Sequence, residues 1–367
     1  MTEIYNFSPG PSMIPKKVLL QAKKEFCNWN NKNKSIMEIS HRSEEFISVI
    51  QEMKKNLKIL LNIPDNYEII FSHGGARGQF SAVPMNLLNN NNIKKNQVDY
   101  VNSGYWSNCA TQEAMKYCNN INIININKMK HNKIKISSMK DWNINNNSKY
   151  LHYCPNETIN GIAIYEEPFF SDDIIVVGDF SSTILSQNIC IKKYGIIYAS
   201  SQKNIGPSGV TLIIIRKNLL KNINFYVPSI LNYKILVDSN SMFNTPNTFS
   251  LYLSNLVIRW LKQLGGISKI EKKNIEKSNM LYNVIDSTDF YINNIDKCNR
   301  SRMNIPFRIV DSRLHSLFLI EAEKYRLYSL KGHSILGGIR ASLYNAMPLK
   351  GVIQLTKFMK IFEKKYG

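Results

Sequence analysis

Apolar residues recur along this chain in two patterns, one with the spacing of a helix and the other continuous, as in a buried strand. The helical pattern comes first, because Val18, Ala22 and Phe26 follow Pro15 at intervals of four. That spacing places side chains on one face of a helix, and proline is tolerated at a helix start. A second helix is predicted over residues 46–60 by the same periodicity.

Short apolar runs without alternation then follow, and each predicts a strand buried on both faces. Helical or turn-rich stretches, notably 79–88 and 108–117, separate most of them. This alternation predicts an α/β fold with a mostly parallel central sheet and helices on both faces. The predicted strands are EIIFS (68–72), VDYVNS (98–103), INIIN (121–125), YLHYC (150–154), IIVVGDF (174–180), GIIYAS (195–200) and VTLIIIR (210–216).

The pattern changes towards the C-terminus, where we expect a second, smaller domain. A long helix-like segment over 251–264 meets Gly265-Gly266, and a mixed α/β stretch follows. The boundary is therefore placed near 255–270. The predicted divisions are an N-terminal segment near the active site (1–15), a large domain (16–258) and a small C-terminal α/β domain (259–367).

Composition indicates a folded protein with an unusual charge. Of 367 residues, 44% are hydrophobic and 20% are charged, while 47 Lys and Arg against 27 Asp and Glu give a net charge of +20. Such a balance suggests an anionic partner. However, lysine accumulates together with asparagine and isoleucine, and there is no run of five basic residues. We interpret the charge as compositional drift and expect no nucleic-acid partner; the Asn-rich segments 89–96 and 143–147 are predicted surface loops.

The cysteines and the N-terminal sequence indicate the cellular compartment in which the protein is expected. The six cysteines form no Cys-x-x-Cys pair, which is typical of reduced thiols in a cytosolic protein. The N-terminus has neither a basic region nor an apolar core of a signal peptide. No apolar run is long enough to span a membrane. We therefore expect a soluble, cytoplasmic protein without a membrane partner.

Groups suited to one phosphorylated ligand follow the predicted strands. Ligands of open α/β sheets bind beyond the carboxyl ends of the strands. The first such sequence, HGGARGQF (73–80), is a glycine-rich turn opening a helix, whose backbone N–H groups suit a phosphate. The other strand ends place an indole, a hydroxyl, a carboxylate, an amide and an amine there: Trp106, Thr158, Asp179, Gln202 and Lys203.

The position of Lys203 needs an explanation, because a primary amine stands there at the rim of a buried sheet. A flat ring for Trp106, a ring nitrogen for Asp179, an aldehyde for Lys203 and a phosphate for the turn together describe pyridoxal phosphate. The lysine would form a Schiff base with that aldehyde. Each residue alone has a plainer interpretation: a salt-bridged lysine, a helix cap, a core tryptophan. Their convergence on one sheet edge favours the cofactor.

Longer motifs, together spanning essentially the whole chain, carry a family resemblance. HGGARGQFSAVPMNLL, HYCPNETINGIAI, YASSQKNIGPSG and GGIRASLYNAMPLKGV together resemble the phosphoserine aminotransferases, which are class V pyridoxal-phosphate enzymes. The resemblance implies the aspartate-aminotransferase-type fold and a homodimer. It also implies amino-group exchange between L-glutamate and 3-phosphohydroxypyruvate in serine biosynthesis, and the 4-phosphohydroxy-L-threonine step of pyridoxine biosynthesis.

The resemblance also implies roles for residues at matching positions. Lys203 would hold the cofactor and move a proton, Asp179 would pair with the ring nitrogen, and Trp106 would stack on the ring. Asn244 and Thr245 would reach the cofactor phosphate from the partner subunit. The implied cofactor-binding residues are Ala76, Arg77, Trp106, Thr158, Asp179, Gln202, Lys203, Asn244 and Thr245, and no metal is expected.

Substrate binding is implied in the same way. Arg340 resembles the ligand of the α-carboxylate, which suits a bidentate guanidinium. His41 and Arg42 resemble the cross-subunit group that takes the distal carboxylate or phosphate, and His333 resembles a second member of that distal site.

Two positions depart from the family pattern and keep other functions open. Pro9 stands where a small Ser or Ala is usual, so no substrate contact is carried to it. Ser334 stands where the family has an arginine, which removes one cation from the distal anion site. An aminotransferase acting on an unphosphorylated 2-oxo acid is therefore the alternative, and a basic binding protein on an inherited enzyme scaffold is a third interpretation.

Overall fold

The computed structural model describes residues 3–88, 96–171 and 173–367. Seven of the predicted Asn-rich loop residues, 89–95, therefore lie outside the described residues. The described α-helices are α1 (Lys16–Glu25), α2 (Glu44–Leu61), α3 (Gly75–Leu87), α4 (Tyr105–Ala114), α5 (Tyr233–Asp238), α6 (Thr248–Gln263), α7 (Gly266–Asp286), α8 (Leu314–Lys324) and α9 (Leu349–Tyr366).

The described strands are β1 (Tyr5–Asn6), β2 (Tyr67–Ser72), β3 (Gln97–Asn102), β4 (Asn120–Asn125), β5 (Asn127–Lys130), β6 (Lys133–Ile136), β7 (Tyr150–Tyr153), β8 (Ile175–Asp179), β9 (Ile196–Ser200), β10 (Thr211–Arg216), β11 (Tyr291–Ile292), β12 (Asn304–Ile309), β13 (Leu327–Tyr328) and β14 (Ile339–Ser342). Seven of the described strands match the seven predicted strands to within one residue at each end: β2, β3, β4, β7, β8, β9 and β10.

The central sheet has seven strands in the order β2-β10-β9-β8-β7-β3-β4. The five strands from β9 to β4 pair in parallel, whereas β10 is antiparallel to both β9 and β2. The prediction of a mostly parallel sheet is confirmed. Because β8 and β9 are parallel neighbours, their carboxyl ends meet at one sheet edge.

The predicted helices form for the expected local reasons. Helix α1 buries Val18 and Ala22. Helix α2 begins with the hydroxyl of Ser43 accepting the N–H of Phe46 at 3.3 Å, and it ends at Asn62 in the left-handed conformation. Local capping and one apolar face thus fix both ends of α2.

The sequence prediction missed several elements, including β1, α5 and the β5–β6 hairpin. The two strands of the hairpin pair antiparallel, and Lys128 stands opposite Lys135. On the other side of the hairpin, Ile136 is buried and Ile134 packs partly against the main core. The high content of asparagine and lysine hid this alternation, so only the preceding strand, β4, was predicted.

Alternate residues of the central strands supply two cores, one on each face of the sheet. Ile197 of β9 belongs to one core and Tyr198 to the other. A third core is formed mainly by the C-terminal elements together with Phe7. Helix α7 contributes Ile270 to the first core and Leu281 to the third, so one helix joins them. The separate third core supports the proposed C-terminal domain, whose boundary stays a prediction.

Within the described ranges, none of the helices combines the length and the apolar character that crossing a membrane requires.

Candidate active site

A cavity of about 260 Å³ opens at the carboxyl ends of β7, β8 and β9, next to the first turns of α3 and α4. The structure brings most of the predicted cofactor residues together there, although they come from five separate segments. The predicted residues that line this cavity are Ala76, Arg77, Trp106, Thr158, Asp179, Gln202 and Lys203.

Lys203 lies in the turn between β9 and β10, which we call the active-site turn (residues 201–209). Its Nζ donates to Oγ1 of Thr158 at 2.7 Å and to Oγ of Ser182 at 3.0 Å. Burial lowers the pKa of Lys203 to about 8, while the carboxylates of Asp179 and Glu157 act in the opposite direction. The amine can therefore lose its proton near neutral pH.

Asp179 ends β8 and is buried, next to the strand that leads to Lys203. Its Oδ1 accepts the backbone N–H of Ser181 at 2.9 Å. Burial raises the pKa of the Asp179 carboxyl, whereas the hydrogen bond from Ser181 and the charge of Lys203 lower it. A buried carboxylate of this kind suits a protonated ring nitrogen, because the cation would replace the missing solvent.

The predicted phosphate turn has the backbone geometry that only glycine adopts easily. Gly74 and Gly75 have φ of 88° and 61°, and α3 begins at Gly75. The N–H of Ala76 donates to Oγ of Ser200 at 2.7 Å, and the guanidinium of Arg77 lies 5.3 Å from the centre of the Trp106 ring. The positive end of a helix and one arginine thus face the same cavity.

Trp106 stands in the first turn of α4. Its backbone N–H donates to Oε2 of Glu157 at 2.9 Å. Its indole Nε1 is buried and has no hydrogen-bond partner among the described residues. An unpartnered buried donor beside a cavity is a position that a bound ligand can satisfy.

Sequence reasoning missed several residues of this site. Glu157, Ser182 and Ser200 contact predicted residues directly, yet none was singled out. A signal existed, because each stands within three residues of a predicted one, in the motifs NETING, DFSST and YASSQK. Of the hydroxyl groups close to strand ends, only that of Thr158 was proposed, and those of Ser182 and Ser200 were not.

Arg340 lies on β14, outside the residues lining the cavity but within electrostatic range of Lys203. It is 5% exposed, and its Nε has no partner in the described parts of the chain. Burial lowers its pKa, while Tyr344 raises it. The positive charge of Arg340 in turn lowers the pKa of Lys203. A buried guanidinium with a free donor is suited to bind a carboxylate.

His333 reaches the edge of the site through aromatic contacts. Its ring centre lies 5.6 Å from that of Tyr105, which packs edge-on against Trp106 at 5.2 Å. The neighbouring Ser334 is exposed.

The predicted cross-subunit residues are not part of the Lys203 cavity within one chain. His41 and Thr245 line a separate cavity of about 580 Å³, and Arg42 is exposed beside it. Nδ2 of Asn244 lies 3.2 Å from Nε2 of His73. The Nε2 atom of His41 is buried without a partner among the described residues. These four residues thus form a second surface, which we call the 41/245 surface.

The N-terminal segment touches the active-site turn. Ser12 donates its N–H to the carbonyl of Gln202 at 2.9 Å and its hydroxyl to the carbonyl of Lys203 at 2.5 Å. The carbonyl of Pro9 accepts the hydroxyl of Tyr344 at 2.8 Å. Pro9 therefore has a structural contact that needs neither an N–H nor a hydroxyl of its own.

These observations fit pyridoxal phosphate. The amine, the buried carboxylate, the Thr158 hydroxyl and the unpartnered indole donor of Trp106 converge on one cavity. The positive-φ turn at Gly74 and Gly75 offers a helix N-terminus for the phosphate. Lys203, Asp179, Thr158 and the turn would hold the aldehyde, ring nitrogen, phenolic oxygen and phosphate, respectively.

Comparisons with known proteins agree with this chemistry. The family model for class-V aminotransferases matches residues 4–355. A phosphoserine aminotransferase of Buchnera aphidicola subsp. Baizongia pistaciae is 66% identical, over 100% of this chain and 98% of the relative.

Two solved structures are similar over nearly the whole chain. A phosphoserine aminotransferase solved in work on radiation damage of its Schiff base has a TM-score of 0.94 at 38% identity, covering 100% of both chains. The pyridoxal-phosphate-bound phosphoserine aminotransferase of Trichomonas vaginalis has a TM-score of 0.90 at 34% identity, covering 98% of this chain and 100% of that one.

Proposed function

The chain belongs to the class-V aminotransferase family, among its phosphoserine aminotransferases, and we propose that it exchanges amino groups between L-glutamate and 3-phosphohydroxypyruvate. The products are 2-oxoglutarate and O-phospho-L-serine. The enzyme is a pyridoxal-phosphate-dependent aminotransferase. The related step that forms 4-phosphohydroxy-L-threonine stays a prediction, as a second reaction of the same site.

The proposed roles divide between the cofactor and the chain. When bound, pyridoxal phosphate supplies an electrophilic carbon for the amino group and a ring that takes up electrons. Asp179 keeps the ring nitrogen protonated, because a buried carboxylate stabilises an adjacent cation. Trp106 holds the ring plane, and the first turn of α3 with Arg77 holds the phosphate.

Lys203 moves the proton in this proposal. Its Nζ takes the proton from the substrate Cα, which requires the uncharged amine. A pKa of about 8 leaves a useful fraction of that form near neutral pH. The hydroxyls of Thr158 and Ser182 accept from Nζ and keep it within the cavity. They can also donate, so the amine keeps partners after it loses its proton.

Arg340 binds the α-carboxylate in this proposal, because it is a buried guanidinium without an acidic partner among the described residues. The ring of His333 contacts the ring of Tyr105, which in turn packs against Trp106. His333 contributes to the distal anion site. Ser334 supplies no charge there, so the remaining cations of that site must come from other groups.

We propose that those cations come from a second copy of the chain. None of the four residues of the 41/245 surface (His41, Arg42, Asn244 and Thr245) lines the Lys203 cavity of its own chain. The buried, unpartnered Nε2 of His41 supports a contact that a single chain does not make. In the proposed homodimer, this surface of one protomer completes the site of its partner. All six cysteines are free thiols, which supports the proposal of a cytoplasmic protein.

The observation that carries the proposed function is Lys203 bonded to Thr158 and Ser182 in a cavity that Asp179 also lines. The test is a coupled transamination assay with glutamate and 3-phosphohydroxypyruvate, on wild type and Lys203→Ala. We expect a yellow, active wild type and an inactive variant.

Unphosphorylated hydroxypyruvate serves as the second acceptor in the same assay. A wild type that prefers it to the phosphorylated acceptor would refute the proposed substrate and point to Ser334. A colourless wild type without turnover would refute the proposed role of Lys203 as well.

A further inference from the structure

Glu157 has a fully buried carboxylate next to the active site, and it does not line the Lys203 cavity. It is 0% exposed and lies in the loop that follows β7. No lysine or arginine of the described chain stands within ion-pair distance of it. Burying a carboxylate is unfavourable unless hydrogen-bond donors replace the lost water. The donors around Glu157 therefore indicate what the residue does.

Those donors are two free N–H groups of a helix start and, at the longer distance of 3.4 Å, the hydroxyl of Ser103. Oε2 of Glu157 accepts the N–H of Trp106 at 2.9 Å, and Oε1 accepts the N–H of Ser107 at 2.8 Å. Both belong to the first turn of α4, whose N–H groups have no partner within the helix. A carboxylate at a helix N-terminus also interacts favourably with the helix dipole. The two carboxylate oxygens of Glu157 thus hold the backbone of Trp106 and of the next residue, Ser107.

The neighbouring residues leave room for this contact. A Cβ added to Gly104 would lie 2.7 Å from Cδ of Glu157, so a larger residue there would displace the carboxylate. Oδ1 of Asn160, in the same loop, accepts the N–H of Tyr105 at 3.1 Å. One loop thus receives three consecutive N–H groups of α4.

The same loop also contacts the active-site lysine. Thr158, the next residue, accepts the hydrogen bond from Nζ of Lys203. The negative charge of Glu157 raises the pKa of Lys203, against the effect of burial. Burial raises the pKa of Glu157 itself, and the N–H groups of Ser107 and Trp106 lower it. Two adjacent residues thus connect the two sides of the site: Glu157 holds the backbone of Trp106, and Thr158 contacts the amine of Lys203.

We propose that Glu157 is a positioning residue of the active site: its carboxylate holds the backbone of Trp106 and Ser107 against the cofactor and places a second buried negative charge, after that of Asp179, beside the Lys203 cavity. Its importance for turnover rests on the proposed function. Its two physical consequences, cofactor affinity and lysine acidity, can be measured without turnover.

The experiment uses wild type, Glu157→Gln, Glu157→Asp and the matched control Glu166→Gln. Glu166 is exposed and also accepts a backbone N–H, from Met139 at 2.7 Å, and neither residue lines the Lys203 cavity. Two quantities are measured on the cofactor-free proteins. The first is the dissociation constant of pyridoxal phosphate, from quenching of tryptophan fluorescence. The second is the pH midpoint for acetylation of Lys203, from quantitative peptide mass spectrometry.

Glu157→Gln keeps the shape but loses the charge and turns an N–H donor towards the helix. We expect the dissociation constant to rise at least about tenfold. The midpoint of Lys203 should fall below the midpoint measured for wild type, because a negative charge near the amine is lost. Glu157→Asp keeps the charge but shortens the reach, so its dissociation constant should rise while its midpoint stays at the wild-type value. Glu166→Gln should change neither quantity.

A Glu157→Gln variant with wild-type affinity and a wild-type midpoint overturns the proposal. If that variant does not fold, Glu157→Asp decides alone, and unchanged cofactor affinity in Glu157→Asp overturns the positioning role. Wild-type turnover of glutamate and 3-phosphohydroxypyruvate, measured alongside, keeps the two proposals apart. Its absence counts against the proposed function, whereas the affinity and the midpoint still test Glu157.

Discussion

Two regions of this molecule each withdraw a lysine amine from solvent, Lys203 partly and Lys277 almost completely, but they surround it with different partners. In the active-site turn, Lys203 contacts two hydroxyl groups. In α7, Lys277 donates to the backbone carbonyls of Leu343, Tyr344 and Met347 at 3.1, 2.8 and 3.1 Å. We call the second region the α7 seam (Lys277 with residues 343–347). Burial lowers the pKa of both amines, to about 8 for Lys203 and about 7 for Lys277.

The difference lies in what the partners can do. Carbonyl oxygens only accept, so three of them match the three N–H donors of an ammonium and hold Lys277 in place. Hydroxyl groups accept and donate, so Lys203 keeps its partners in either protonation state. Lys203 also faces a cavity, whereas Lys277 is 2% exposed. A lowered pKa therefore does not identify a catalytic lysine; adaptable partners and access to a ligand do.

The strongest test of this contrast is to remove the amine of Lys203 and keep its bulk. Lys203→Met should reduce turnover by roughly 10³-fold or more, because both the cofactor attachment and the proton transfer depend on Nζ. The free energy of unfolding should not fall by more than about 1 kcal/mol, since a buried amine is replaced by an apolar group. Steady-state kinetics and denaturant unfolding measure both. Turnover within tenfold of wild type would contradict the assignment of Lys203.

The same substitution in the α7 seam should act on stability. Lys277→Met leaves three buried carbonyls without a donor, so the free energy of unfolding should fall by about 3 kcal/mol or more. Turnover per folded molecule should change much less than in Lys203→Met. Urea unfolding of the two variants side by side gives the comparison. Equal stability of wild type and Lys277→Met would show that the three carbonyls do not need this donor.

The response to pH should separate the two lysines further. Only the uncharged amine is acetylated, so in the cofactor-free protein the rate at Lys203 should rise about tenfold from pH 7 to pH 9 and level off above its pKa of about 8. Lys277 should stay unmodified while the protein is folded, because it is 2% exposed and reagents cannot reach it. Peptide mass spectrometry at several pH values follows both lysines; rapid acetylation of Lys277 in the folded protein would contradict its burial.

The smallest effect is expected where a lysine is paired on the surface. Lys234 and Asp238 form an ion pair at 2.5 Å, with side chains 51% and 56% exposed. Lys234→Gln should change the free energy of unfolding by less than about 0.5 kcal/mol, because solvent screens the pair. Thermal unfolding of this variant provides the baseline for the two buried sites. A loss as large as that of Lys277→Met would mean that burial is not what distinguishes them.

The amino-acid pattern alone was enough to predict the seven strands of the central sheet, the first two helices and most of the residues that line the Lys203 cavity. Its signals are local: four-residue apolar spacing in α1, continuous apolar runs in β8 and β9, and glycines that open α3. The site followed from the same signals, because parallel strands bring their carboxyl ends to one edge. Asp179 and Lys203 could therefore be expected near each other without any knowledge of the packing.

The contacts that join distant segments could be seen only once the chain was folded. Glu157 meets the N–H of Trp106 across 51 residues, and Lys277 meets carbonyls 66 to 70 residues away. The antiparallel direction of β10 and the separation of the 41/245 surface from Lys203 are of the same kind. No local periodicity encodes such pairs, because they depend on how complete elements pack. The charges that adjust Lys203 become visible only when that packing is known.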